Sequence, residues 1–520
     1  MPSIKISTNR FLEYLTSLIN FKTVISRSSY SRGSRCPKSL WLHRNRSKDT
    51  RNLPNEGKLI KLASNQLVDS AAQLFPSESY LCARVNPEGT KNWNTSVEAT
   101  QLAIENGVTV LAYPSFYGMD LMCDIHYLQK NKSGSWKAFI VKSSTKISDN
   151  SKENATFQLH TLREAGLKIS HFYVLTINTK YNRSEKIDYH QLFKKTDVLP
   201  TLNKLENELK STLKELRKTL KLETSPDLPI GEYCLSPYSC EFKSKCWKHV
   251  PENSVFNLRR VSRETKFKWW NSGVKTIDEL KHSKFEAGSL LSETQAEEYV
   301  DHESLTEFMS HIQFPILFLD FEGYLPALPP FPGVKPFQII PFLFAAYKCE
   351  SIDGSLTFHS YIGTPKQDPR RQFADALIEI CAASETILVY DPMTEKQVIR
   401  GLIREYPELA NDLDSILNKI IDLAKPIANK HFYLPAMKGL SSMKHVLPAV
   451  DPTNSYKSLS VQSGRAASQL YQILCDDQHD KNEKLELDNL VEYCKMDVYG
   501  LVQVYNAFLK ALDRPVISTN

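Results

Sequence analysis

The stretch Pro315-Ile316-Leu317-Phe318-Leu319-Asp320-Phe321-Glu322 joins five apolar residues to two acids at alternate positions. Side chains alternate along a strand, so Asp320 and Glu322 share one face. The unbroken apolar run marks a strand buried on both faces, at the centre of a sheet. Two carboxylates on one face of a buried strand repel each other unless a cation lies between them. Hard oxygen ligands of this kind suit Mg²⁺ or Mn²⁺. The competing reading is a strand end where both acids simply reach solvent.

Two further pieces carry acids at informative places. In Leu388-Val389-Tyr390-Asp391-Pro392-Met393-Thr394-Glu395 an apolar strand ends at Asp391. A helix is expected to start near Thr394 as its N-cap, with Glu395 in the first turn. The helix dipole favours a carboxylate there, which is also the plain explanation for Glu395. In Tyr493-Cys494-Lys495-Met496-Asp497, within a helix expected over 487–511, Tyr493 and Asp497 stand at i and i+4. They therefore share a helix face, although any long helix offers such pairs.

Acid-x-acid on a first strand, an acid at a strand-to-helix turn, then Tyr-x-x-x-Asp on a last helix resembles the DEDD 3′–5′ exonucleases in their tyrosine variant. The family's middle motif has Asn, an aromatic and Asp, where this chain has Asp391, Thr394 and Glu395. Either Asp391 or Glu395 completes the set, and Glu395 is preferred by position. The resemblance implies an RNase H-like mixed-sheet α/β domain over 312–520. It also implies catalytic roles for Asp320, Glu322, Glu395, Tyr493 and Asp497. The four acids would hold two Mg²⁺ or Mn²⁺ ions roughly 4 Å apart. One lowers the pKa of a water oriented by Tyr493, and the other stabilises the leaving 3′ oxygen. Arg370 and Lys444 are candidates for a substrate phosphate, and read equally well as surface charges.

A resemblance covering nearly the whole chain rests on Leu319-Asp320-Phe321-Glu322, Pro336-Phe337-Gln338-Ile339-Ile340-Pro341-Phe342, Asp368-Pro369-Arg370 and Met443-Lys444-His445-Val446-Leu447-Pro448. These look like a bacterial family catalogued as a domain of unknown function. Its members join this domain to an N-terminal RecB-like, iron–sulfur nuclease domain.

The cysteines fit that pattern. There are ten in 520 residues, too few for a disulfide scaffold. Cys82, Cys123, Cys349, Cys381 and Cys475 read as small buried hydrophobes. Cys36 stands before a helix, and Cys234, Cys240 and Cys246 follow far away, each pair separated by five residues. One distant and three close thiolates resemble the iron–sulfur staple of CRISPR-associated and AddB-type RecB-like nucleases. The set would hold a [4Fe–4S] cluster, with Zn²⁺ as the alternative. The resemblance places a PD-(D/E)xK site at Asp124 and Lys142, with Gln158 on the later helix. Two positions depart from it. Ile140 stands where the second acid belongs, and Leu162 where a Tyr follows Gln158 one turn on. The domain is therefore read as a binding or structural module that does not cut.

Periodicity divides the rest. Residues 1–251 are read as the RecB-like α/β domain. Strands are expected at 108–113, 119–127, 136–142 and 172–177, and helices at 59–75, 153–166 and 202–222. Residues 252–311 form a helical linker, with a helix ending at Gly273 and another starting near Thr276. A helix-hairpin-helix there could present amides to a phosphate. Residues 312–520 add strands at 342–347, 356–362 and 386–390, helices at 372–382 and 394–405, and a polar loop at 476–484.

Hydrophobic residues make up 41% and charged residues 24%, the balance of an ordinary globular protein. No run reaches the roughly 18 apolar residues that span a bilayer, so no membrane partner is expected. The net charge of +6 is compatible with nucleic acid without demanding it. The first 50 residues are basic, with Glu13 and Asp49 their two acids. They lack a secretory core, and an organelle leader is the lesser reading. A reducing cytoplasm and a nucleic-acid partner, DNA ahead of RNA, are expected. The rival readings are a non-catalytic nucleic-acid clamp and an iron–sulfur scaffold in repair or defence.

Overall fold

The computed structural model describes residues 23–45, 65–76, 80–81, 93–258, 261–283, 285, 298–437, 440–475 and 482–518. The basic segment 1–22, Cys82 and residues 476–481 of the expected polar loop lie outside them. The chain is mixed α/β and divides into two compact units, one containing Ser64–Val250 and the other Pro251–Asn520. Among the described residues no helix is long and apolar enough to cross a membrane.

In the C-terminal unit the apolar run becomes the central strand Ile316–Tyr324 of a five-stranded sheet. Ile340–Cys349 pairs with it antiparallel, and Thr357–Ile362 pairs antiparallel beyond that. On its other side Thr386–Val389 and then Ile420–Asp422 run parallel to it. Parallel neighbours need crossovers, and helices Arg370–Cys381, Met393–Glu405 and Ala410–Lys419 supply them. Leu317, Leu319 and Phe321 belong to the core shared with these helices. Ile316, Phe318 and Tyr324 belong to the other core, shared with the 29-residue helix Glu483–Ala511. Burying a side chain such as Phe318 contributes about 1.5–3 kcal/mol. The alternation sends Asp320 and Glu322 to the same face as that last helix.

The expected N-cap at Thr394 is incorrect. The helix begins at Met393 after Pro392, whose φ of −70° already suits a helix start. Asp391 makes the turn before it at φ 56°. The expected 487–511 helix begins earlier, at Glu483.

The N-terminal unit is built on a six-stranded sheet. Its order is Tyr80–Leu81, Val110–Ala112, Tyr127–Lys130, Trp136–Val141, Ile169–Ile177 and Phe193–Asp197. Helix Asp149–Glu164 crosses between the parallel pair Trp136–Val141 and Ile169–Ile177. Helix Leu199–Leu220 packs on it. The single strand expected at 119–127 is a misreading. Ser115–Gly118 and Leu121–Asp124 form a hairpin of a smaller sheet, and Tyr127–Lys130 belongs to the larger one. The expected strand breaks at Ile125 and His126, between Leu121–Asp124 and Tyr127–Lys130, and its start at Met119, at φ 58°, is the hairpin turn after Gly118, where a Cβ would stand 2.7 Å from the Glu164 backbone. A run apolar on both sides of the break conceals it. Of the helix expected at 59–75, residues 65–70 are helical and Ala71–Leu74 form a 3₁₀ turn.

At 252–311, helix Arg263–Asn271 is capped by Ser272 and followed by Gly273 at φ 95°, and helix Ile277–Lys281 is N-capped by Thr276 with a capping box. Glycine takes that conformation without steric cost.

Candidate metal centre

Strand Ile316–Tyr324 carries Asp320 and Glu322 to the face covered by helix Glu483–Ala511, which carries Asp497. One carboxylate oxygen from each of the three lies within 4.8 Å of the other two. The strand runs on to Tyr324, so the acids sit inside the sheet rather than at an open end. Glu322 is 8% exposed. Burial, then Asp497, Glu322 and Glu395, push the Asp320 pKa well above the carboxylate range, against a Cys494 thiol contact. Burial with Asp497 and Glu395 does the same to Glu322, while Lys444 opposes it. Asp497 is pushed up to about 6 by burial, against the Tyr456 and Tyr493 hydroxyls and Lys444. Three carboxylates forced this close resist ionisation until a cation joins them.

Glu395 is buried beside the trio, in the first turn of Met393–Glu405. Its Oε2 is buried with no hydrogen-bond partner among the described residues. Burial pushes its pKa up to about 7, with Asp391 and Asp422 adding to the rise against its own backbone amide. Asp391 is exposed, and its N–H donates to Asp422 Oδ1 at 3.0 Å. The structure thus turns Glu395 inward and Asp391 outward. Tyr493 is buried, and burial and the acids raise its pKa, so its phenol stays a donor.

The two basic candidates separate. Lys444 is exposed, donates to the Gln462 carbonyl at 2.9 Å and lies near enough to ease the ionisation of Glu322 and Asp497. Arg370 is 4% exposed and committed to Asp368 at 2.6 Å and Glu405 at 3.1 Å. It ties the start of helix Arg370–Cys381 to the end of helix Met393–Glu405.

Three neighbours had no voice in the sequence reading. The Tyr456 hydroxyl donates to Asp497 Oδ1 at 2.5 Å. The Cys494 thiol faces Asp320 Oδ2 at 3.4 Å. Gly464 opens helix Gly464–Leu474 against Glu322, and a Cβ there would stand 3.4 Å from Oε1. Cys494 follows Tyr493 directly and was within reach of the motif. Tyr456 and Gly464 lie in a polar stretch with no periodic signal.

In the N-terminal unit Cys234, Cys240 and Cys246 lie near enough to Cys36 to act on its thiol, but among the described residues the four sulfurs do not come within 4.8 Å of one another as the oxygens of the acid trio do. Cys36 caps helix Pro37–Arg44, its sulfur accepting from Ser39 N at 3.4 Å. Its pKa is raised by burial and by Cys234, Cys240 and Cys246 together, against the Ser39 N–H. Cys240 approaches Ser39 Oγ at 3.8 Å, and Arg32 pairs with Glu241. These contacts hold the 234–246 segment to the two helices flanking Cys36.

Asp124 ends strand Leu121–Asp124 of the smaller sheet, Lys142 follows strand Trp136–Val141 of the larger one, and Gln158 Nε2 donates to the Asp124 carbonyl at 2.6 Å. Ile140 is buried in the core, 2% exposed. Lys142 is pushed down to about 8 by burial and by Arg27. Asp120, four residues before Asp124, is held by Arg217 at 2.6 and 2.7 Å.

A family model described as a domain of unknown function (DUF2779) matches residues 317–442. That span holds Asp320, Glu322, Arg370 and Glu395 and ends before Lys444, Tyr456, Tyr493 and Asp497. No curated protein matches. A solved structure described as "Crystal structure of SSO0001" is similar at 11% identity over 42% of this chain and 86% of that one. Its TM-score of 0.17 carries no argument about the fold. Over residues 317–442 the chain is therefore similar to a family whose function is itself undefined, as expected from its motifs.

Proposed function

We propose that the C-terminal unit is a metal-dependent nuclease of the DEDD type that removes nucleotides from a 3′ end. The observation that carries this reading is the approach of Asp320, Glu322 and Asp497 to within 4.8 Å in a buried place. The strand order, three antiparallel strands continued by two parallel ones, supports an RNase H-like assignment.

The donors fit hard divalent cations. They are all carboxylate oxygens, and Glu395 keeps an unpartnered buried oxygen beside them. Asp320, Glu322, Asp497 and Glu395 would hold Mg²⁺ or Mn²⁺, which would activate a water and neutralise charge at the leaving 3′ oxygen. Tyr493 keeps its proton and would orient a water for attack on the phosphorus. Lys444, exposed at the rim, receives the substrate phosphate.

The N-terminal unit is read as a RecB-like binding module stapled by Cys36, Cys234, Cys240 and Cys246. The four cysteines, two of them buried and three acting on the thiol of Cys36, are the candidate ligands of a [4Fe–4S] cluster or Zn²⁺, although their sulfurs do not gather as closely as the oxygens of the acid trio. Its remnant site offers Asp124, but Ile140 adds hydrocarbon and Asp120 is occupied by Arg217. Lys142 is left to bind a phosphate without cutting. DNA is preferred over RNA as the partner.

The test is purified full chain with 5′-labelled single-stranded and duplex DNA and RNA, in Mn²⁺, Mg²⁺ or EDTA. Stepwise shortening from the 3′ end with metal, and none in EDTA, is expected. Substrate bound but uncut in both metals would favour the non-catalytic clamp.

A further inference from the structure

The stretch from Met443 to Gly464 closes one side of the acid trio. It begins with helix Met443–Val450 and ends where Gly464 meets Glu322. Between them the chain ties itself down. Lys444 Nζ donates to the Gln462 carbonyl at 2.9 Å, and Gln462 Nε2 donates to the carbonyls of Lys457 and Leu459 at 3.2 and 3.1 Å. The segment is also pinned to helix Glu483–Ala511 just beyond Asp497. Tyr499 OH donates to Asp451 Oδ2 at 2.9 Å, and Asn454 Nδ2 donates to the same oxygen at 2.7 Å.

Tyr456 sits in the middle of this bracing. It is 7% exposed, its ring centroid is 6.0 Å from that of Tyr493, and its hydroxyl reaches Asp497 Oδ1 at 2.5 Å. A buried phenol needs an acceptor, so a purely structural bond is the plain alternative. That alternative leaves unexplained why the acceptor is one member of the acid trio. A donor on Asp497 Oδ1 fixes the side chain's rotation, and with it the way the carboxylate faces Asp320 and Glu322. Partners of this kind are worth about 10–100-fold in metal affinity.

We propose that Tyr456 is a positioning residue of the metal centre, its hydroxyl holding the Asp497 carboxylate in the orientation that metal binding requires. This rests on Asp320, Glu322 and Asp497 being metal ligands. It adds a residue outside the acid and tyrosine motifs, on a segment that the matched family model does not reach.

The test is Mn²⁺ affinity of the full-length wild type, Tyr456→Phe and Tyr471→Phe, by calorimetry or by loss of the free-ion paramagnetic signal. Tyr471 is a control, because its buried hydroxyl donates instead to the Gly363 carbonyl at 3.0 Å. Tyr456→Phe should bind Mn²⁺ about 10–100-fold more weakly, while Tyr471→Phe binds as wild type does. Activity of Tyr456→Phe should return as Mn²⁺ is raised, a shift in metal requirement rather than in maximal rate. Equal Mn²⁺ affinity in Tyr456→Phe and wild type overturns the proposal, whatever either variant does to the melting temperature. A wild type that binds no Mn²⁺ strikes the nuclease reading and this inference together. Binding that is equal in all three proteins strikes this inference alone.

Discussion

The two units present similar ingredients and assemble them differently. Each carries an acid on a strand and polar groups on a neighbouring helix. In the C-terminal unit three acids from strand Ile316–Tyr324 and helix Glu483–Ala511 converge, and Glu395 stands beside them. In the N-terminal unit the position expected to carry a second acid alongside Asp124 is an isoleucine. Ile140 is in the core, and Asp120 is neutralised by Arg217. The lysine there is strained toward neutrality by burial and by a second cation, Arg27. A carboxylate motif becomes a metal centre only when its neighbours leave its charge unbalanced. Arg217 balances Asp120 in the first unit, whereas the acid trio of the second stays buried with its pKa values raised.

The largest effects should separate the two units directly. Asp320→Ala should lower metal-dependent degradation by at least about 10³-fold, since one ligand of a cooperative set is lost. Asp124→Ala should leave the rate unchanged. Both are read from initial rates on one labelled strand, and equal losses would erase the contrast.

The thiol site should matter to folding of the first unit. Anaerobically purified wild type should be brown, with broad absorbance near about 400 nm. Cys240→Ser should bleach it and lower the first unit's melting temperature by roughly 10 °C. A colourless protein with one zinc per chain would replace the cluster by a structural zinc site.

A smaller effect asks whether the first unit is one carboxylate short of a nuclease. Ile140→Glu would bury a charge in a packed core, at a cost of about 2–4 kcal/mol on denaturant unfolding. No cleavage should appear when it is added to Asp320→Ala with Asp497→Ala. New metal-dependent cutting there would show a dormant site instead.

The smallest effect concerns Lys142 and pH. Its folded pKa of about 8 lies below the unfolded value of about 10.4. Between these values the unfolded chain binds the extra proton, so wild type gains stability as pH rises through the window and loses it as pH falls toward 8. Lys142→Met lacks this dependence. The melting-temperature difference, wild type minus variant, should therefore grow from pH 7.5 to pH 9.5. A flat difference would mean that Lys142 is well solvated.

The acid-bearing strand was legible because a buried central strand tolerates no ambiguity of face. Leu317, Leu319 and Phe321 fill one core, which sends Asp320 and Glu322 to the other side. Tyr493 and Asp497 were legible through helical spacing, and Glu395 through its place after an apolar strand. The change of sheet at Ile125 and His126 was hidden because apolar residues run up to it from both sides, Leu121, Met122 and Cys123 before it and Tyr127 and Leu128 after it. Tyr456 was invisible for a different reason. It reaches Asp497 across 41 residues of chain, through a loop whose shape is set by hydrogen bonds such as Lys444 to Gln462. Local patterns carry no record of such contacts. The commitment of Arg370 to Asp368 and Glu405 was likewise a matter of tertiary packing.

The central claim, that the C-terminal acids form the cutting centre, is tested most directly on a 5′-labelled single strand in Mn²⁺. Wild type is compared with the Asp320→Ala, Asp497→Ala double variant, purified identically and matched for folded content by circular dichroism. A ladder shortening one nucleotide at a time from the 3′ end with wild type, and an intact strand with the variant, is the predicted result. The same ladder from the double variant, or no cleavage by either protein, would contradict it.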